Sequence, residues 1–367
     1  MQMAQPLCPY FGNCGGCSTQ HLDYSLQLEN KKKQIEQLLS FSVTVFPSEP
    51  YFYRNKMEFI FHLRGLGLRR KGNSDTIVNV EHCVIAEKEI NTLLREVQDF
   101  FPSPDAYDSK KKIGTLKYAV IKTTGKESGI SFALNEDSLK RESVEGQIKE
   151  FATKTSATSV LITYVPAEGD ESAGENFIIL KGKEKLTTTL AGKTFSYNIQ
   201  GFFQNNHRVA EKMHHYVRGI VEQFSGRRQL LDLYAGVGTF GIINADLFEN
   251  VILIEQFPPA LQDARENAKL NEVKNIVYYG KDARELQKLR LQNPLHVITD
   301  PPRSGMDEKT IQLLKKLEPE VIIYISCNPQ QLAKDLKKFK YTLKSAALFD
   351  MFPQTNHTEV VVELVRK

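Results

Sequence analysis

From about residue 195 onward the chain alternates between two kinds of pattern. Short, nearly continuous apolar runs end in glycine, proline or acidic residues. Between them lie longer stretches with apolar residues at helical spacing. Runs of this kind read as strands buried on both faces, and the intervening stretches as the helices that cover them. Strands are predicted at 229–234, 251–255, 276–279, 296–300, 321–326, 341–349 and 358–365, with helices between the first six. The last two strands leave no room for a helix and should pair antiparallel. The result is a doubly wound α/β sheet of seven strands with an antiparallel C-terminal hairpin. Ahead of it, 195–203 reads as extended. Residues 204–224 read as an amphipathic helix, with Val209, Met213, Val217, Ile220, Val221 and Phe224 on one face.

The first half is patterned less regularly. A helix is predicted over 23–39, with Leu28, Ile35, Leu38 and Leu39 on its apolar side and Lys31, Lys32 and Lys33 on its wet side. Strands are predicted at 53–61, 65–71, 116–122, 129–134 and 159–165, with a helix over 84–101 and a polar turn at 167–176. The change of character near Thr194 suggests three stretches: 1–50, a central α+β domain over 51–194, and the α/β domain over 195–367.

Composition narrows the classes. With 41% hydrophobic and 25% charged residues, an ordinary globular chain is expected. The apolar runs are too short for a bilayer and the start has no signal-peptide pattern, so no membrane is expected and a cytoplasmic location is. A net charge of +4 gives no global case for nucleic acid. One local cluster does: aromatics interleave with Arg54, Lys56, Arg64, Arg69 and Arg70 across 53–71, a pattern suited to phosphates and unstacked bases. An antiparallel sheet with one wet face accounts for it equally well.

Five cysteines are an odd count, which argues against a disulfide framework. Cys8, Cys14 and Cys17 bunch in a glycine-rich knuckle, Cys83 follows, and Cys327 stands alone. That pattern suggests four ligands to a metal or cluster and one reactive thiol.

Four motifs fall at predicted strand ends. Asp232-Leu-Tyr-Ala-Gly-Val-Gly-Thr-Phe-Gly241 forms a glycine turn between strand and helix, suited to a cofactor. Its glycines fit dinucleotide and S-adenosylmethionine sites alike, and the Asp232–Tyr234 lead-in favours the latter. Glu255 ends the next strand, placed for ribose hydroxyls. Asp300-Pro-Pro-Arg303 is a stiff turn holding a carboxylate that can accept a bond from a base or the cofactor. Ser326-Cys-Asn-Pro329 places Cys327 either as a packed thiol or, at the start of a helix near Pro329, as a thiolate nucleophile. Glu359 enters an apolar strand, either as an edge charge or as a proton-transfer group whose pKa burial would raise, with His357 expected on the same face.

A thiol, a base and a methyl donor suffice to methylate C5 of uracil. Thiolate addition at C6 makes C5 nucleophilic, and removal of the C5 proton then expels the thiolate. Taken with Phe203-Gln-Asn-Asn206 and Phe352-Pro-Gln-Thr-Asn-His-Thr-Glu359, these motifs resemble those of the RNA uridine-C5 methyltransferases over nearly the whole chain. The resemblance implies a class I methyltransferase fold and an N-terminal RNA-binding, iron–sulfur region. It implies Cys327 as nucleophile and Glu359 as base. It implies S-adenosylmethionine contacts at Gln204, Tyr234, Glu255, Asp282 and Asp300, with Asp282 and Tyr234 standing where the family often has Asn and Phe. It also implies a [4Fe–4S] cluster on Cys8, Cys14, Cys17 and Cys83, structural rather than redox. With no β-barrel domain ahead of Cys8, the chain is similar to the short 23S ribosomal-RNA type. The T-loop uridine of transfer RNA is the runner-up target, and a monomer is expected. The rival readings are a cytosine-C5 methyltransferase, a non-catalytic iron–sulfur RNA-binding protein, and a flavin- or NAD-linked iron–sulfur oxidoreductase.

Overall fold

A computed structural model describes Met3–Lys367, and the chain divides into two compact units. One holds Ser25–Ser48, Thr189–Ser196 and Asn206–Lys367. The other holds the described residues up to Tyr24, with Glu49–Thr188 and Tyr197–Asn205. The chain passes from one unit to the other at Tyr24/Ser25, Ser48/Glu49, Thr188/Thr189, Ser196/Tyr197 and Asn205/Asn206.

The larger C-terminal unit is an eight-stranded sheet. Its elements are helix α1 (Tyr24–Leu39), β1 (Thr44–Phe46), α2 (His207–Glu222), β2 (Gln229–Leu233), α3 (Thr239–Asn244), β3 (Asn250–Ile254), α4 (Pro258–Leu270), β4 (Ile276–Tyr279), β5 (Leu295–Thr299), α5 (Glu308–Leu317), β6 (Val321–Ser326), α6 (Pro329–Leu336), β7 (Tyr341–Phe349) and β8 (Glu359–Arg366). The strand order is β1-β7-β8-β6-β5-β2-β3-β4. Strands β2 to β6 run parallel, and β8 is antiparallel to both β6 and β7. This is the expected class I methyltransferase sheet. The helix expected between the third and fourth predicted strands is instead a short 3₁₀ turn, Ala283–Lys288. The central strands β2, β5 and β6 are buried at every residue, as strands covered on both faces must be.

Two features of this unit come from the N-terminal part of the chain. Strand β1 adds an eighth member, parallel to β7, with Phe46 stacked on Phe349 at 4.5 Å. Helix α1 buries Gln27, Lys31 and Ile35, one residue every four along a single stripe. Lys31 is thus not on the wet side. Its ammonium is buried because the fully buried carboxylate of Asp350 lies 2.6 Å away. Lys32 and Lys33 do face solvent.

The other unit is a seven-stranded sheet in the order Asn73–Asn79, Gly65–Arg70, Lys56–His62, Leu116–Thr123, Ser128–Asn135, Ser159–Val165, Phe177–Lys181. All its pairings are antiparallel except that of Ser128–Asn135 with Ser159–Val165. Helices Lys88–Phe100 and Arg141–Lys154 close its core, which centres on Phe61, Phe101, Phe132 and Phe151. No helix among the described residues is long and apolar enough to cross a membrane.

Candidate active site

In an open α/β sheet, ligands gather outside the carboxyl ends of the parallel strands, and four candidate residues lie there. Tyr234, Glu255, Asp300 and Cys327 each directly follow a strand: β2, β3, β5 and β6. Glu359 approaches from the opposite direction as the first residue of antiparallel β8. The register fixes its relation to Cys327. Ile325 pairs with Val361 and Ser326 with Val360, so continuing by one residue sets Cys327 opposite Glu359.

The turn around Cys327 is tightly tied. Ser326 Oγ accepts the Asn328 N–H and bonds the Asn328 carbonyl, both at 3.1 Å. Asn328 caps α6 by accepting the Gln331 N–H, and its Nδ2 donates to the Arg303 carbonyl at 2.9 Å. The Asp300-Pro-Pro-Arg turn and the cysteine turn are thereby joined, and the Asp300 N–H donates to Leu233 at 3.3 Å.

Three acidic groups share this crevice. Burial, with the charges of Glu359 and Asp300 added, pushes the Cys327 thiol up to about 11, more than its own backbone N–H and Arg303 offset. The helix start was expected to favour a thiolate; burial, with the two carboxyls beside it, raises the thiol instead. Burial also holds Glu359 well above the ordinary carboxylate range, with Asp300 adding to the effect. Asp300 is raised in turn by burial. His357 does not share the face of Glu359; it lies exposed in the turn before β8.

The glycine turn has the conformation a close ligand needs. Tyr234 sits at φ +60°, a left-handed backbone that non-glycine residues adopt at some cost and that concentrates at functional sites. Gly236 and Gly238 also have positive φ. Glu255 braces the turn, accepting the Gly236 N–H at 2.9 Å and the Phe257 N–H at 2.7 Å. A Cβ on Gly241 would stand 2.2 Å from Leu253 Cδ2, so only glycine lets α3 pack this close to β3. Asp232 is buried within β2. Its Oδ2 accepts the Gly241 N–H at 2.8 Å, and burial raises its carboxyl to about 8. Its Oδ1 has no partner among the described residues, the mark of a group arranged for something that binds. These features fit S-adenosylmethionine. Asp282 caps the 3₁₀ turn by accepting the Arg284 N–H at 2.8 Å and pairs with the Arg284 guanidinium.

Other candidates lie in the second unit. Gln204 is on its Tyr197–Asn205 segment, where its carbonyl accepts a bond from Asn55 Nδ2 at 3.1 Å. Cys8, Cys14, Cys17 and Cys83 line one cavity of about 460 Å³ together with Arg54 and His82. Burial raises all four thiols, Cys17 to about 12. Among the described residues no group of three or more His, Cys, Asp or Glu side chains is placed to hold a metal ion, so the expected metal site on the four cysteines is not supported here. In the basic–aromatic strands, Arg69 is held by Asp170 at 2.5 Å and Lys56 by Glu58 at 2.6 Å.

Sequence reasoning overlooked three groups of the C-terminal unit. Asp335, fully buried, accepts bonds from Tyr324 Oη at 2.8 Å and the Met306 N–H at 3.2 Å, under the Asp300 turn. Gln27 and Lys31 on α1 reach the turn before Glu359. An acidic or cationic residue inside an otherwise apolar helical stripe was the available signal.

Known proteins place these observations. The family model described as tRNA (uracil-5-)-methyltransferase matches residues 23–367. A tRNA (uracil(54)-C(5))-methyltransferase of Pyrococcus horikoshii is 34% identical over 98% of this chain and 85% of its own length. An uncharacterized RNA methyltransferase of Caldanaerobacter subterraneus is 33% identical over 96% of this chain and 83% of its own. The crystal structure of Pyrococcus abyssi tRNA (uracil-54, C5)-methyltransferase in complex with S-adenosyl-L-homocysteine matches with a TM-score of 0.80 at 29% identity, covering 95% of this chain and 86% of that one. The chain belongs to the tRNA (uracil-5-)-methyltransferase family and is an S-adenosylmethionine-dependent RNA (uracil-C5)-methyltransferase.

Proposed function

We propose that this chain methylates C5 of one uridine in a structured RNA, with Cys327 as nucleophile and Glu359 as base. The placement of Glu359 one step beyond the Ser326–Val360 pair, close enough to Cys327 to raise its thiol, carries the reading. Cys327 gives its proton to solvent water, its Sγ bonds to C6 of the uracil, and the C5–C6 π pair moves onto C5 and O4, leaving C5 electron-rich. S-adenosylmethionine, when bound, supplies the methyl group. Glu359 then takes the C5 proton, the electron pair of that C–H bond forms the C5–C6 double bond, and the C6–S bond breaks to return the thiolate. A carboxyl raised by burial is a stronger base than a solvated one once it is ionised. The proposed cofactor contacts are Gln204, Tyr234, Glu255, Asp282 and Asp300. The uridine reaches them unstacked from its RNA.

As target we favour the T-loop uridine of transfer RNA, because the Pyrococcus relatives are named for uracil 54 of tRNA. A uridine of 23S ribosomal RNA, the first expectation from sequence, is the second reading. It is supported by the four-cysteine set, which resembles that of the ribosomal-RNA enzymes. Cys8, Cys14, Cys17 and Cys83 would hold a [4Fe–4S] cluster around their shared cavity in a structural role. We place the enzyme in the cytoplasm as a monomer.

The test is transfer of labelled methyl groups to tRNA and 23S transcripts, with trapping on the same RNAs carrying 5-fluorouracil. Product on the T-loop and a covalent complex lost in Cys327→Ala are expected. A complex that persists in Cys327→Ala would overturn the nucleophile, and product on 23S RNA alone would select the second reading.

A further inference from the structure

Helix α1 has an odd buried stripe. Core-facing positions of a helix are normally apolar, yet two of its three buried residues are Gln27 and Lys31. Both are spent on one distant segment, the turn that leads into Glu359. Lys31 Nζ meets Asp350 Oδ1 at 2.6 Å and donates to the Phe352 carbonyl at 3.1 Å. Gln27 Nε2 donates to Gln354 Oε1 at 2.9 Å, and Gln27 Oε1 accepts the Gln354 backbone N–H at 3.1 Å. Gln354 needs such a clamp, because its φ is +66°, a left-handed conformation that a non-glycine residue adopts only at a cost. The start of the turn is also fixed: the Asp350 N–H donates to Phe46 at 3.0 Å, and Asn206 Nδ2 donates to the Met351 carbonyl at 3.3 Å.

We infer that Gln27 and Lys31 are positioning residues for the proton-transfer step: α1 holds the 350–358 turn in the one conformation that delivers Glu359 opposite Cys327. This rests on the reading of Glu359 as the base. Neither residue touches substrate or reacting atoms. Their effect is confined to the geometry of Glu359, whereas Cys327 is held separately by Ser326, Asn328 and the Arg303 carbonyl. Adduct formation and adduct release should therefore respond differently.

The test compares Gln27→Leu, Gln354→Gly and Glu359→Gln with the unaltered enzyme in single-turnover reactions on unmodified RNA. Denaturing gels resolve the covalent adduct, and calorimetry with S-adenosylhomocysteine checks the cofactor site. Gln354→Gly removes the side-chain half of the clamp, keeping its backbone N–H to Gln27 Oε1, while placing glycine where φ is positive, so it folds without strain even if Gln27→Leu does not. The expected result is adduct accumulation in all three, with release slowed about 10- to 100-fold in the two clamp variants, the scale of a misplacement of about 1 Å. Formation stays near the unaltered rate. Clamp variants that release normally while Glu359→Gln accumulates adduct would overturn the positioning role, as would equal loss of both steps. Absence of adduct in Glu359→Gln would instead overturn the base assignment, and the positioning role with it.

Discussion

The raised pKa of Cys327 makes a prediction that needs no RNA. A free cysteine titrates at about 8.5, so a thiol pushed up to about 11 carries roughly 240-fold less thiolate at pH 8. Only the thiolate alkylates. In the resting enzyme, iodoacetamide should modify Cys327 slowly, with a rate that climbs about tenfold per pH unit through pH 10 and shows no plateau. Mass spectrometry of the Cys327 peptide, with glutathione in the same tube as reference, separates it from the other four cysteines. Partial burial lowers the absolute rate equally at every pH, so the shape of the curve reports ionisation alone. The causes can be separated as well. Burial is the largest and Glu359 the next, so Glu359→Gln should move the curve to lower pH without reaching the free-cysteine value. A plateau below pH 9, or a curve indifferent to Glu359→Gln, would refute the electrostatic account of the crevice.

Three further outcomes follow from particular contacts. Lys31→Met leaves the fully buried Asp350 without its cation and should cost about 3 to 5 kcal/mol in urea unfolding, much of it recovered by adding Asp350→Asn. Gly241→Ala places a methyl 2.2 Å from Leu253 Cδ2 and 3.1 Å from Asp232 Oδ2, so α3 must shift; calorimetry should show weakened S-adenosylhomocysteine binding, and stability should fall by about 1 to 3 kcal/mol. On the proposed cluster, Cys14→Ser should lose the iron and visible absorbance of anaerobically prepared protein while S-adenosylhomocysteine binding persists, since Cys14 and the glycine turn belong to different units; protein without iron in the unaltered chain would overturn the cluster itself.

The sheet of the catalytic unit was legible because its signals are local. Buried parallel strands appear as apolar runs, and their ends carry the glycine, proline and acidic residues of the site. All seven predicted strands lie within one residue of those observed at either end. What escaped depends on contacts far apart in sequence or on polar strands. β1 is three residues long and pairs with β7 some 300 residues later, so nothing near Thr44 announces it. Asn73–Asn79 has no alternating apolar face, because it is a largely exposed strand. Lys31 sat in a run of three lysines and looked solvated; its partner Asp350 lies 319 positions away. The site shows the same division. Residues that end strands could be placed from sequence, whereas Gln27, Lys31 and Asp335, which hold those residues in place, could not.

The crowding of acids in the crevice bears on how the enzyme tells cofactor from product. Asp232 is raised to about 8 chiefly by burial, and Asp300 is raised to about 7. Both therefore hold protons near neutral pH and release them as pH rises. S-adenosylmethionine carries a positive sulfonium, and its product does not. A cation about 5 Å from one ionised carboxylate, at an effective dielectric of about 20, gains about 3 kcal/mol, and solvent screening reduces this. The sign follows from linkage: a ligand that prefers the ionised carboxylates binds more tightly as pH passes through their raised pKa values. The affinity ratio of S-adenosylmethionine to S-adenosylhomocysteine should thus rise about tenfold or more between pH 6 and pH 9 by calorimetry. Asp300→Asn should flatten the rise. A ratio independent of pH would mean that the sulfonium does not bind within reach of these carboxylates, and the placement of the cofactor at Asp300 would have to be given up.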